Sequence, residues 1–249
     1  MSSPPERIGP FVVEGVLGHG GAGIVYRGRD PTGAKVAIKR IPTGDEELAA
    51  RLLREADVRV QHENVVRVIA SGIDAHGEPY VVSELLEGET LRERFARGIA
   101  PPELVALAAQ AARGLAALHE AGVVHRDLKP ANLFVTREGV LKILDFGTAA
   151  FADARTVLTT TGALIGTPAY LSPEQARGDR RVDERADVWS LGMTLYEGLT
   201  GELPFHRSTL AATALAIQHD PLPSIFARVP ELPLELGILV ERCLARDLE

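Results

Sequence analysis

Gly18-His19-Gly20-Gly21-Ala22-Gly23-Ile24-Val25-Tyr26-Arg27-Gly28 is the stretch on which the fold turns. Gly18, Gly20 and Gly23 have the G-x-G-x-x-G spacing, which two architectures use. In a dinucleotide-binding unit the glycines open a helix whose N-terminus faces a pyrophosphate. In the other architecture they join two antiparallel strands, and the missing Cβ atoms let backbone N–H groups approach a phosphate. Here the glycines run into the β-branched and aromatic Ile24-Val25-Tyr26. A turn at Asp30-Pro31-Thr32-Gly33 and a second apolar cluster, Val36-Ala37-Ile38, follow. Strand, turn, strand is a hairpin signature. A glycine-rich hairpin without function looks the same locally, so the rest of the chain decides.

Working outward, Phe11-Val12-Val13 is a preceding strand, and Leu48, Leu52, Leu53 and Ala56 have helical spacing within residues 45–60. Residues 65–69 and 80–83 return to strand character, which completes a small α+β lobe ending near Glu87-Gly88. Beyond it helices dominate. Pro101-Pro102-Glu103 is a helix start, and the alanine- and leucine-rich pattern of residues 104–119 stops at Gly122. Its near-continuous apolar character predicts a central, buried helix. Leu133-Phe134-Val135 and Leu141-Lys142-Ile143 are short strands about a Glu138-Gly139 turn, and residues 188–199 form another buried helix. Two lobes with a hinge near residues 84–88 result.

Composition narrows the function classes. A chain of 249 residues, 45% hydrophobic and 24% charged, is ordinary for a globular protein with a real core. Its formal net charge of -7 argues against nucleic acid as a partner, since that needs a basic footprint. The single Cys243 rules out an internal disulfide framework and reads as a core thiol in a reducing compartment. No run of about twenty apolar residues spans a membrane, and residues 1–6 have no secretory-signal pattern. The expectation is a cytoplasmic chain.

Three further segments follow the glycines in fixed order: Val36-Ala37-Ile38-Lys39, His125-Arg126-Asp127-Leu128-Lys129-Pro130-Ala131-Asn132, and Asp145-Phe146-Gly147. Together they supply the parts of a phosphoryl-transfer site: cations for phosphates, a carboxylate for a hydroxyl, and oxygen ligands for a hard metal. Taken alone, Lys39 would be an exposed strand end, and the last two segments would be charged turns.

In this order the chain resembles the eukaryotic-like (Hanks-type) Ser/Thr protein kinases, with spellings most similar to the bacterial members, from about Gly9 to Asp247. The resemblance implies an α+β, bilobal protein-kinase-like fold, with a β-rich N-lobe holding one helix and a larger helical C-lobe. Residues 1–8 would be a tail, residues 9–86 the N-lobe and residues 87–249 the C-lobe. It implies transfer of the ATP γ-phosphate to protein serine or threonine, with autophosphorylation of an activation loop. ATP and Mg²⁺, with Mn²⁺ as an alternative, are the implied cofactors, and proteins with Ser/Thr acceptors the partners. The residues do not speak to oligomeric state.

By the same resemblance, Lys39 pairs with the ATP phosphates and Glu55 holds Lys39, although Glu55 precedes His62 by fewer residues than the family usually has. Asp127 accepts or orients the substrate hydroxyl, Lys129 neutralises the moving phosphate, and Asn132 and Asp145 bind metal. Lysine at 129 is the Ser/Thr variant. Leu17, Gly18, Gly20, Gly23, Val25, Ala37, Phe134 and backbone groups of Glu84 and Leu86 surround the nucleotide, with Ser83 as the gatekeeper before the hinge. Arg126, beside the catalytic aspartate, wants an anion, and Thr159 and Thr161 resemble autophosphorylation sites that would supply it. Thr167 is similar to a threonine that hydrogen-bonds the catalytic aspartate and lysine, and Asp187 to a buried brace of the catalytic loop.

Two departures stand out. Ser172-Pro173-Glu174 replaces the more familiar Ala-Pro-Glu. The chain also stops before the helix whose arginine pairs with the glutamate at 174, so the C-lobe is expected to be short or truncated, with Arg242 or Arg246 as the substitute. A nucleotide-binding pseudokinase scaffold and a dinucleotide-dependent oxidoreductase are the alternatives. Intact Lys39, Asp127, Asn132 and Asp145 speak against the first, and the strand after the glycines against the second.

Overall fold

The computed structural model describes residues 5–20, 23–41, 49, 53, 59–145, 168–179 and 181–246. An antiparallel six-stranded sheet opens the chain: β1 (Arg7–Ile8), β2 (Phe11–Gly20), β3 (Gly23–Arg29), β4 (Lys35–Arg40), β5 (Val68–Ile73) and β6 (Pro79–Glu84), in the spatial order β1-β2-β3-β4-β6-β5. β2 and β3 pair as Gly18↔Val25, His19↔Ile24 and Gly20↔Gly23, so a strand follows the glycines. Because β1 pairs with β2 and Ile8 is fully buried, the folded lobe begins within the stretch expected to be a tail.

Alternation of side chains across each strand gives the sheet two faces. Tyr26, Val36, Ile38, Tyr80 and Val82 point into one core with Ile8 and Phe11. The opposite face carries the half-buried Val25, Ala37, Lys39 and Ser83. The strand expected at residues 65–69 begins instead at Val68, because Val65 and Val66 pair with Ile143 of the other lobe. Ala49 and Leu53 are helical, and the rest of the expected helix lies outside the described residues.

After three residues the chain enters the second lobe through β7 (Gly88–Thr90), which joins β8 (Leu133–Thr136) and β9 (Leu141–Ile143) in a small antiparallel sheet. Gly88 has φ 153°, and a Cβ there would lie 2.1 Å from the Val135 carbonyl oxygen, so the residue must be glycine. Helix α1 (Leu91–Ala96) starts at a capping box in which Thr90 and Glu93 satisfy each other's backbone N–H groups.

Helix α2 (Pro101–Glu120) starts and stops as the sequence predicts, with Gly122 in the left-handed region just beyond it. It is not buried all round. Leu104, Leu107, Ala111, Gly114, Leu115 and Leu118 form one buried stripe, while Val105 and several alanines face outward. Alanine is apolar yet small enough to be tolerated on a wet helix face, which is why the composition misleads.

Next come α3 (Pro173–Arg177), α4 (Arg185–Thr200), α5 (Leu210–His219), α6 (Ile225–Arg228) and α7 (Leu234–Cys243). Helix α4 is the buried one: Trp189 to Glu197 is continuously buried, and Trp189 stacks on Phe205. Tyr170 anchors the chain just before α3, its hydroxyl donating to Glu197 at 2.5 Å and meeting Arg92 of α1. Cys243 is half-buried, and its thiol is pushed up by loss of solvent.

Candidate active site

The half-buried face of the large sheet forms a ceiling over Asp145 of the lower lobe, which meets its Lys39, and the region between them is termed the slot. Ala37 lies opposite Ser83 and next to Arg27, and Lys39 opposite both Val25 and Val81. Gly18 has open space where a Cβ would stand, so its backbone can be approached closely. Gly23 has a second reason to be glycine: at φ 142° its Cβ would sit 2.1 Å from the Arg40 carbonyl oxygen. Leu17 is exposed beside the glycines, and Gly20 ends β2. Leu86 packs on the lower core, and Phe134 of β8 comes to the joint beside Gly88.

Below lies the segment 125–132, which ends in a 3₁₀ turn at Pro130–Asn132. Lys129 Nζ contacts both Asp127 carboxylate oxygens, at 2.9 and 2.7 Å. The Asn132 amide nitrogen donates to the Asp127 carbonyl at 2.8 Å and to its carboxylate at 3.1 Å. With its nitrogen so used, Asn132 retains an amide oxygen for a cation. The Asp127 side chain is 39% exposed, open enough to meet an incoming hydroxyl.

Arg126 and Asp145 both have positive φ, 62° and 58°, a costly conformation for residues with side chains. A buried network holds the arginine there. Asp187, inaccessible to solvent, accepts the backbone N–H groups of His125 and Arg126, each at 2.8 Å, and His119 Nε2 lies 2.8 Å from the same carboxylate. The Gln175 amide donates to the Arg126 carbonyl at 2.7 Å. For the aspartate, His125 Nε2 lies 2.8 Å from the Leu144 carbonyl, and the Leu144 N–H donates to Asn132 at 2.9 Å.

These bonds bring Asp145 under the ceiling, where its carboxylate meets Lys39 Nζ at 2.9 Å. Burial pushes the Asp145 carboxyl up, but Lys39, with His125 and Lys129 behind it, outweighs burial and holds it below the usual carboxylate value. Lys39, Asp127, Lys129, Asn132 and Asp145 therefore converge from β4, the 125–132 segment and the end of β9. Glu55, Thr159, Thr161, Thr167 and Phe146-Gly147 lie outside the described residues.

Among the described residues the Arg126 guanidinium has one bond, at 3.4 Å to the Val182 carbonyl, and its buried Nε has no partner. Ser172, in the place where alanine was expected, caps α3: its hydroxyl accepts the Gln175 N–H, and the Gln175 side chain bonds back. Glu174 is only half-buried. Arg246 does not substitute as its partner; it donates to the Ile217, Ala216 and Asp220 carbonyls at the end of α5 and lies over Phe205.

Gln175, Lys142 and Asn64 escaped the sequence reading. Gln175 follows a motif as an ordinary helix residue, and Lys142 reads as the polar position of a short strand. Lys142 forms an ion pair with Glu84 at 2.8 Å. Asn64, almost wholly buried, donates to the Leu141 carbonyl and to Gln110. Asn64 completes the segment His62-Glu63-Asn64, and His62 is the one residue of it that the sequence had marked.

The family described as "Protein kinase domain" matches residues 11–249. Among curated relatives, the serine/threonine-protein kinase PknL of Mycobacterium tuberculosis is 39% identical over 246 residues, covering 95% of this chain and 61% of PknL. Pkn1 of Myxococcus xanthus is 38% identical over 254 residues, covering 98% of this chain and 36% of Pkn1. PknB of Mycobacterium leprae is 37% identical over 262 residues, covering 100% of this chain and 42% of PknB. The chain thus spans about one to two thirds of the length of these relatives. Among the described residues no helix is long and apolar enough to cross a membrane.

Proposed function

Since this chain belongs to the protein kinase family, we propose that it transfers the γ-phosphate of ATP to serine and threonine hydroxyls of proteins, its own threonines included. The observation that carries this reading is the Asp127 carboxylate clamped by Lys129 and Asn132, one step below the Lys39–Asp145 ion pair. Asp127 orients the acceptor hydroxyl and takes its proton as the oxygen bonds to the γ-phosphorus and the bond to the β–γ bridging oxygen breaks, releasing ADP. Lys129 offsets charge on the moving group, and Lys39 binds the phosphates.

The residues fit a divalent cation. Asn132 has its amide oxygen available and Asp145 a carboxylate that stays ionised, and hard cations take oxygen ligands. Bound there, Mg²⁺ or Mn²⁺ would neutralise phosphate charge. Val25, Ala37 and Phe134 would enclose the adenine, with the backbone of Glu84 and Leu86 at its edge. The unpartnered Nε of Arg126 supports a regulatory role for Thr159 or Thr161, whose phosphate would supply the missing anion.

Transfer of labelled γ-phosphate to a generic protein substrate tests this, with Asp127→Asn and Asp145→Ala as controls. Both variants should lose transfer by about a hundredfold or more. Mass spectrometry should find phosphate on Thr159 or Thr161 in the parent and not in Asp127→Asn. Undiminished transfer by Asp145→Ala would sink the assignment, and nucleotide binding without transfer by the parent would make the protein a scaffold.

A further inference from the structure

Three segments distant in sequence close into a ring behind the slot. Residues 64–66 lie along β9: the Ile143 N–H donates to the Asn64 carbonyl at 2.9 Å, and the Val66 N–H to the Ile143 carbonyl at 3.0 Å. The next residue, Arg67, meets the end of β6: the Glu84 N–H donates to the Arg67 carbonyl at 3.0 Å, and the Arg67 N–H to Glu84 Oε1 at 2.9 Å. The same Oε1 receives Lys142 Nζ at 2.8 Å, which returns the ring to β9. Burial pushes the Glu84 carboxyl up, yet Lys142 and the Arg67 N–H outweigh it and hold it below the ordinary glutamate value.

The two ends of this ion pair serve different parts of the slot. Glu84 ends the strand whose backbone borders the adenine place. Lys142 stands three residues before Asp145 and directly across from Phe134. Their side chains are only 23% and 18% exposed, so the pair is largely shielded, and removing the Lys142 charge leaves Glu84 with the weaker field of Arg67 and its N–H.

We propose that Glu84 and Lys142 are positioning residues for the nucleotide, an ion pair that fixes the spacing between the adenine edge of the upper lobe and the metal-binding aspartate of the lower. The proposal rests on the reading of the slot as a nucleotide site. A ligand touching both ends binds best when their spacing is preset, since it then spends none of its binding energy on closing the lobes. The pair touches no reacting atom, so its loss acts on nucleotide binding and leaves the acceptor peptide's own site alone.

Fluorescence titration with a labelled ADP, together with separate KM values for ATP and for an acceptor peptide, tests the idea on Lys142→Met, Lys142→Arg and Glu84→Gln/Lys142→Met. The double variant removes both charges yet keeps an oxygen for the Arg67 N–H, which guards against misfolding from a lone buried carboxylate. Lys142→Met and the double variant should weaken ADP binding and raise the ATP KM about five- to tenfold, with the peptide KM unchanged, while Lys142→Arg stays near the parent. Unchanged or tighter ADP binding in both charge-removing variants would overturn the proposal, as would a fall in kcat alone. Failure of the parent itself to bind ADP would overturn the nucleotide site instead.

Discussion

Ser83 stands between Ala37 on one neighbouring strand and Val68 on the other, and no bulky side chain occupies its own position. If it guards the rear of the slot, a purine-like inhibitor bearing an aromatic group gains roughly 100 Å² of burial there. At about 25 cal/mol per Å² that is roughly 2–3 kcal/mol, on the order of fifty-fold in affinity. Ser83→Met should exclude such a compound while leaving ATP binding nearly unchanged, read from paired inhibition curves with substituted and unsubstituted inhibitors. Equal potency of the substituted compound on both proteins would show that Ser83 does not guard the rear of the slot. The meeting of single residues was legible where it is local: Asp127, Lys129 and Asn132 fall within six consecutive residues and contact one another. The contacts of Lys142 and Gln175 were not, because their partners, Glu84 and Arg126, are fixed only by how distant segments pack.

Helix α2 shows the same division one scale up. Its caps are written in adjacent residues, Pro101 at one end and Gly122 at the other, and both were readable. Its buried stripe was not, because alanine leaves the apolar pattern nearly featureless. Strand β5 shifted for a related reason: Val65 and Val66 have strand chemistry but spend it on Ile143 of the lower lobe. At this crossing Gly114 of α2 leaves room for the 64–66 segment, since a Cβ would come within 2.7 Å of the Asn64 carbonyl oxygen and 2.9 Å of Ile143 Cδ1. Gly114→Ala gains about 1 kcal/mol in helix propensity, but the contact with a backbone oxygen costs about 1–3 kcal/mol. A net loss of about 1 kcal/mol is expected, which lowers the thermal midpoint by about 2–4 °C. A midpoint equal to or above the parent's would mean that the segment moves aside freely.

At the scale of the molecule, the two-lobe plan was legible because composition changes where the sheet gives way to helices, near residue 87. What the pattern did not reveal is how short and how firmly seated the joint is. Three residues separate Glu84 of β6 from Gly88 of β7. The last of them, Glu87, accepts the Arg137 N–H on its carbonyl at 3.0 Å, and the next residue, Gly88, is pressed against the Val135 carbonyl. To a nucleotide gripped by both lobes, the protein is a bivalent receptor whose two half-sites share one tether. The tether sets the effective concentration of one half-site at the other, which falls roughly as the -3/2 power of tether length once it is slack. Four flexible residues inserted between Glu87 and Gly88 should therefore weaken ADP binding severalfold although no contacting side chain has changed. The same insertion in the exposed turn at Thr32-Gly33 should leave the affinity where it was. Equal losses from both insertions, measured by the same titration, would mean that the lobes are held together by their contacts and owe nothing to the shortness of the chain between them.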